Sequence, residues 1–180
     1  THAELAASSE LATHAPALAE AAATIGDPAV RNRGTIGGNV AHADPASDLP
    51  TVLAALDATI ATTGDGGGPG IAAADFFEGM MATALGDHDI VTAVEVPAAP
   101  TEQGQAYVKF AHPASRYAVV GVAAAVTVTG GTISTAAVAL GGLVPTATRA
   151  ASVEQALAGQ TPSADVIAAA AAAVTADLGD

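Results

Sequence analysis

Two runs of strand-forming residues, Ala118–Thr129 and Thr132–Leu140, meet at Gly130-Gly131. Paired glycines between alternating, β-branched segments signal a hairpin, because a tight reversal needs the positive φ that glycine adopts freely. That feature commits the second half of the chain to an antiparallel sheet. Ala106–Phe110 supplies a third strand, and Ser152–Ala158 and Ala164–Leu178 read as two closing helices, the last an alanine-rich surface helix. The stretch Pro97–Gln105 has the Pro, Ala and polar composition of a linker, which sets a boundary near residue 100. The second unit is then a three-stranded antiparallel sheet with helices on one side.

The first half follows a different rhythm. Its first 25 residues read as helix, with Thr1 and Glu4 at capping-box spacing and a sparse apolar face of Leu5, Leu11, Leu18 and Ile25. Pro16 suits the first turn of a second helix starting near His14 or Ala15, which Gly26 ends. Asp27–Pro50 breaks the pattern, rich in Gly, Pro, Asn and Asp. A short helix over Pro50–Leu56 leads to a strand at Ala58–Thr63. The tip Gly64–Gly70 is predicted to be a flexible loop, since it lacks the Lys-Ser/Thr ending of a phosphate loop. Asp75–Leu85 reads as a short helix whose Phe76, Phe77, Met80 and Met81 are core residues, and Ile90–Val96 as a strand.

Composition narrows the function classes. Eighteen acidic residues against five basic ones give a formal charge of −13, which opposes a surface that tracks nucleic-acid phosphates. No cysteine is present, so the chain has no disulfide and no thiolate ligand for zinc or an iron–sulfur cluster. The apolar run Val166–Val174 is nine residues long, far short of the ~20 that a membrane helix needs. No basic leader precedes an apolar stretch. These features read as a soluble, acidic, cytoplasmic protein. Half the residues are apolar, but only 3% are aromatic and alanine inflates the count. Such a core either leans on a partner or bound ligand, or reflects an alanine-rich, acidic, salt-adapted background.

Scarce positive charge marks the chemistry. Arg31 and Arg33 flank a glycine-rich turn, Arg31-Asn32-Arg33-Gly34-Thr35-Ile36-Gly37-Gly38-Asn39, and the only lysine, Lys109, ends a strand. Adjacent glycines let successive backbone N–H groups converge on an anion, Thr35 and Asn39 add side-chain hydrogen bonds, and Asp48 is an acceptor for ligand hydroxyls. From spacing alone the turn is either a pyrophosphate cradle or a plain tight reversal. It is not the G-x-G-x-x-G of a dinucleotide fold. Elsewhere, His42 is a loop histidine satisfied by nearby backbone rather than a general base, and His112 before Pro113 is a turn residue. Asp87, His88 and Asp89 look metal-like, yet neighbours on one turn rarely converge on an ion.

The segment Asp27–Asn39, continuing through Asp44-Pro45-Ala46-Ser47-Asp48-Leu49-Pro50, resembles the second FAD-binding loop of molybdenum hydroxylase flavoproteins. These are the medium subunits of aerobic carbon monoxide dehydrogenases and the FAD domains of xanthine dehydrogenases. The resemblance continues through Ile90–Pro97, Ala106–Phe110 with Ser115–Ala118, and Gly141-Gly142-Leu143-Val144-Pro145 with Arg149-Ala150. It implies an α+β chain: the second, incomplete lobe of a vanillyl-alcohol-oxidase-type FAD-binding domain over residues 1–100, then the C-terminal domain of the flavoprotein subunit over 101–180. The family's first FAD loop and its Ser-Ala-x-Tyr-Arg region have no counterpart, so the chain reads as a piece of a longer subunit or a truncated homologue.

By residue, the resemblance puts Thr35, Ile36, Gly37, Gly38 and Asn39 on the FAD pyrophosphate. It puts Asp48 against the flavin's polar chain or ring, Val91 near the ring system and Lys109 close to the flavin, with Arg116 and Tyr117 beside the ring. An ammonium there would favour reduced flavin, which carries negative charge near N1. The implied role is electron relay, from [2Fe–2S] clusters of a small partner subunit through FAD to a quinone, oxygen or nicotinamide. Primary substrate chemistry would occur at the molybdenum cofactor of a large partner subunit, in a dimer of heterotrimers, and no residue here would be a catalytic acid or base. The small-residue run Thr35–Asp48 leans toward the carbon monoxide dehydrogenase-like branch. The alternative is a non-catalytic assembly module that docks partner subunits without flavin.

Overall fold

The computed structural model describes residues 1–64 and 70–178. The chain begins with three short helices, α1 (His2–Ala7), α2 (Ser9–His14) and α3 (Pro16–Thr24). The Thr1–Glu4 capping box forms and Ser8 caps α2, so the first predicted helix is broken at Ser8, while the second starts as expected with Ala15 as cap and Pro16 in its first turn. Then come α4 (Pro28–Arg31), α5 (Ile36–His42) and α6 (Asp48–Ala55), followed by β1 (Thr59–Thr63), β2 (Ile71–Ala72), α7 (Ala73–Phe76), β3 (Phe77–Gly79), β4 (Ala82–Thr83) and β5 (Ile90–Glu95). The remainder is β6 (Gln103–Ala111), β7 (Ala118–Thr129), β8 (Thr132–Gly141), β9 (Thr148–Arg149), α8 (Ala151–Leu157), α9 (Ala164–Ala171) and a 3-10 turn over Ala172–Ala176.

Four local expectations are corrected. The region 27–50 holds two helices rather than a bare turn. Asp27 caps α4 and the Thr35 hydroxyl caps α5, whose Val40 is fully buried. Cap and burial together outweigh the ~1 kcal/mol that each helical glycine costs. The predicted helix at Asp75–Leu85 is one helical turn and a small hairpin. Met81 takes a left-handed backbone (φ 55°) and donates its N–H to the Ala43 carbonyl at 3.1 Å, which ties the hairpin to the end of α5. Phe76 and Phe77 are core as predicted, edge to face at 5.2 Å, but Met80 and Met81 are exposed. The closing helix stops being α-helical at Ala171 and is not wholly superficial, since Ala170 is buried. The glycine-rich tip at 65–69 lies outside the described residues.

The sheets are antiparallel throughout. β1 lies between β2 and β5, β3 pairs with β4, and β6–β7–β8–β9 run in sequence order. The three long strands of the last sheet are those anticipated, and Thr148–Arg149 adds a two-residue fourth. Its faces do different work. One presents Tyr107, Ala123, Ala125 and Ala139 to a core that also holds Leu18, Leu49, Leu53 and Ile60 from the first hundred residues. The other presents Val138 and Leu140 to α8 and α9. Alanine therefore has a definite place here: small side chains on the first face let α6 lie close against the sheet. The buried Leu, Ile and Phe side chains each contribute ~1.5–3 kcal/mol.

Candidate functional site

A cleft of about 650 Å³ opens where α1, the segment 25–35, α5, the start of α6 and the loop 115–117 converge. That volume lies within the ~300–1,000 Å³ usual for small-molecule sites. α5 forms one wall. The Thr35 hydroxyl accepts the Gly38 amide at 3.1 Å and the Thr35 carbonyl accepts the Asn39 amide at 3.0 Å, so those two donors are used inside the helix. The Ile36 and Gly37 amides belong to the first turn and have no intrahelical acceptor. Asn39 donates to the Ser47 hydroxyl at 3.1 Å, which joins α5 to the segment leading into α6.

Asp48 opens α6 at the cleft floor, and its side chain is only 6% exposed. One carboxylate oxygen accepts the Tyr107 hydroxyl at 2.6 Å, and the other accepts the Lys109 ammonium at 2.8 Å. Lys109 also donates to the Thr24 carbonyl at 3.0 Å, and the Glu20 carboxylate accepts the Tyr107 amide at 3.0 Å, so α3 holds the same strand twice. Burial, the Asp48 charge and the hydrogen bond to it all push the Tyr107 phenol far above its ordinary range, which keeps it a donor. His2, buried in the cleft wall, is pushed below its ordinary value mainly by desolvation.

The five cations divide by partner. Lys109 is neutralised by Asp48, and Arg149 by Asp57 at 2.8 Å and Glu154 at 2.6 Å. Arg31 donates to the Ile25 and Gly26 carbonyls, and Arg116 reaches the Gly26 carbonyl at 3.2 Å from a left-handed backbone (φ 64°). The Arg33 guanidinium has no hydrogen bond or ion pair among the described residues, and its backbone N–H donates to the Val30 carbonyl at 3.1 Å. Arg33 and Arg116 both line the cleft, so an acidic chain keeps two cations without carboxylates at one opening.

Of the eight residues singled out from the sequence, Thr35, Gly38, Asn39 and Asp48 line this cleft. Ile36 packs toward the core, and Val91 lies behind Gly37, 3.8 Å from where a Cβ there would sit. Lys109 stands beneath Asp48 as its counter-ion rather than as a free ammonium. Arg116 and Tyr117 also line the cleft. His42 is on its lining, while His112 is a turn residue whose Nδ1 accepts the Ala114 and Ser115 amides at 3.3 Å. Sequence reasoning missed His2 and Tyr107. The signal for Tyr107 was its place two residues before Lys109, hence on the same face of one strand.

Comparison with known proteins places this geometry in context. Residues 1–99 match the family model described as FAD binding domain in molybdopterin dehydrogenase, and residues 105–179 match the CO dehydrogenase flavoprotein C-terminal domain. The chain is 35% identical over 173 residues to the carbon monoxide dehydrogenase medium chain of Afipia carboxidovorans, covering 94% of this chain and 60% of that one. It is 39% identical over 152 residues to the glyceraldehyde dehydrogenase medium chain of Sulfolobus acidocaldarius, covering 84% and 54%. The solved carbon monoxide dehydrogenase of Hydrogenophaga pseudoflava superposes with a TM-score of 0.90 at 38% identity, over 96% of this chain and 60% of that one. The chain thus spans between half and two thirds of the length of these relatives. It belongs to the family of FAD-binding domains of molybdopterin dehydrogenases, whose cofactor is FAD.

Proposed function

We propose that the cleft holds FAD and that the chain is the flavin-bearing part of an electron-relaying subunit of a molybdenum hydroxylase. The observation that carries the reading is the pairing of two carboxylate-free arginines, Arg33 and Arg116, with the Thr35–Asn39 wall over the Asp48 floor. That set offers cations for a diphosphate and an acceptor for hydroxyl or N–H groups. Thr35, Ile36, Gly37, Gly38 and Asn39 would serve the pyrophosphate side, Asp48 the flavin's polar chain or ring, and Val91 would back the wall. Lys109 would act through Asp48, by compensating its charge. When bound, FAD supplies exchange of electrons between one-electron and two-electron partners. The protein's own task is to bind, orient and tune, so no side chain need serve as acid or base.

By analogy with the relatives' medium chains, the electron donors would be [2Fe–2S] clusters of a small partner subunit. The molybdenum cofactor would reside in a large one, within a cytoplasmic dimer of heterotrimers that passes electrons to an external acceptor. Residues 1–100 would form the FAD-binding unit and 101–180 the C-terminal unit. A carbon monoxide dehydrogenase-like parent is favoured by the small-residue run Thr35–Asp48. Among the described residues no helix is long and apolar enough to cross a membrane.

A second reading, an assembly module that docks partners without flavin, draws on Val108 and Phe110, which project from β6 and are about 70% exposed (69% and 71%). Substituting Gly38 with leucine separates the two. The flavoprotein loses bound FAD yet still co-purifies with its partners; the module shows no flavin in either form.

A further inference from the structure

We propose that Tyr107 is a positioning residue for the cleft: with Lys109, it fixes the Asp48 carboxylate as a charge-compensated acceptor for a ligand's hydroxyl or N–H groups. This rests on the reading of the cleft as a flavin site. Each Asp48 oxygen receives one short hydrogen bond from β6, at 2.6 Å from the phenol and 2.8 Å from the ammonium. A carboxylate has about four acceptor positions, so two donors from the sheet leave capacity on the side lining the cleft. The carboxylate can then neither rotate nor face a ligand as an uncompensated anion. The cleft is thereby graded: cations at the rim for phosphate, a neutral pair at the floor for donors.

A second observation supports the role of the hydroxyl itself. Gly121 stands directly across from Lys109 in the β6–β7 register, in the interior of a long strand where glycine weakens pairing. A Cβ at 121 would lie 2.5 Å from the Tyr107 hydroxyl. The strand gives up a side chain at the one place where the phenol needs room. A phenylalanine at 107 would fill the core with one atom fewer and would leave Asp48 with a single donor. The Glu20 and Thr24 contacts to Tyr107 and Lys109 hold the two donors at fixed height on the strand.

The test uses the protein in the assembly in which it is purified. Tyr107→Phe is expected to weaken FAD retention several-fold, because the Asp48 carboxylate is no longer fixed as an acceptor, read by flavin fluorescence on dilution. It is also expected to lower the flavin midpoint potential, because Asp48 then presents less tempered negative charge. In an Asp48→Asn background the same substitution should move the potential far less. Gly121→Ala, which alters no charged group, should reproduce both changes in direction by displacing the hydroxyl. A Tyr107→Phe protein with unchanged FAD retention and potential, or with equal shifts in both backgrounds, overturns the positioning role. An unsubstituted protein that takes up no FAD overturns the flavin reading and this inference with it, and that failure is visible before any substitution is made.

Discussion

Two charge clusters, one buried and one partly open to solvent, join the first hundred residues to the later sheet, and they are built to different ends. At the cleft floor one carboxylate, Asp48, is held by a phenol and an ammonium whose side chain is only 7% exposed. At the opposite clasp one guanidinium, Arg149, is shared by Asp57 and Glu154, and Asp57 is three-quarters exposed. Glu154 also accepts the Val138 amide at 2.8 Å, and Arg149 donates to the Ala54 carbonyl at 3.4 Å, so that cluster is tied to β8 and to the end of α6. The first cluster spends its acceptors partly on open space; the second spends them on the fold. A cation between two carboxylates closes a seam, whereas the carboxylate between two donors lines a cleft.

Removing the centre of each cluster should expose this difference. Asp48→Ala leaves the Lys109 ammonium buried beside an empty position, and a destabilisation of about 3–5 kcal/mol is expected in urea unfolding. A loss below about 1 kcal/mol would mean that the ammonium escapes to water and that the floor is not fixed. Arg149→Met should lower stability by about 1–2 kcal/mol and leave FAD retention unaltered; a loss of flavin would erase the distinction between the two clusters. Arg33→Ala reverses the pattern. Its guanidinium is exposed and makes no hydrogen bond or ion pair among the described residues, so stability should change by less than about 0.5 kcal/mol, while FAD retention falls several-fold and more steeply at low salt.

Legibility in the sequence followed the same division. The β7–β8 hairpin and the β5 strand could be read because period-two patterning and Gly130-Gly131 are local signals. The Thr35–Asn39 segment reads as a candidate site but not as a helix. Its glycines argue against helix locally, and what forms it is a cap plus the burial of Val40, which is a tertiary fact. Lys109 stood out by rarity, but its pairing with Asp48 across 61 positions left no periodic trace. Tyr107 was legible in principle from its shared strand face with Lys109. The Met80-Met81 turn was not, since its left-handed residue is set by docking against Ala43.

Two smaller effects refine the comparison. Asp57→Asn removes an exposed partner from the Arg149 clasp, and a cost of at most about 1 kcal/mol is expected, shrinking with added salt. His2, whose burial lowers its proton affinity in the fold, binds more protons when unfolded. Stability should therefore rise with pH through the range below the ordinary histidine value and level off above it. His2→Gln should flatten that segment of the pH–stability curve; an unchanged slope would assign the titration to another group.

The most direct measurement is the flavin content of the purified protein, from its visible spectrum and the FAD released on denaturation. One FAD per copy of this chain, lost in Gly38→Leu and retained in Arg149→Met, is the predicted result. A colourless protein in its complete assembly, taking up no FAD when the cofactor is supplied, would contradict the account.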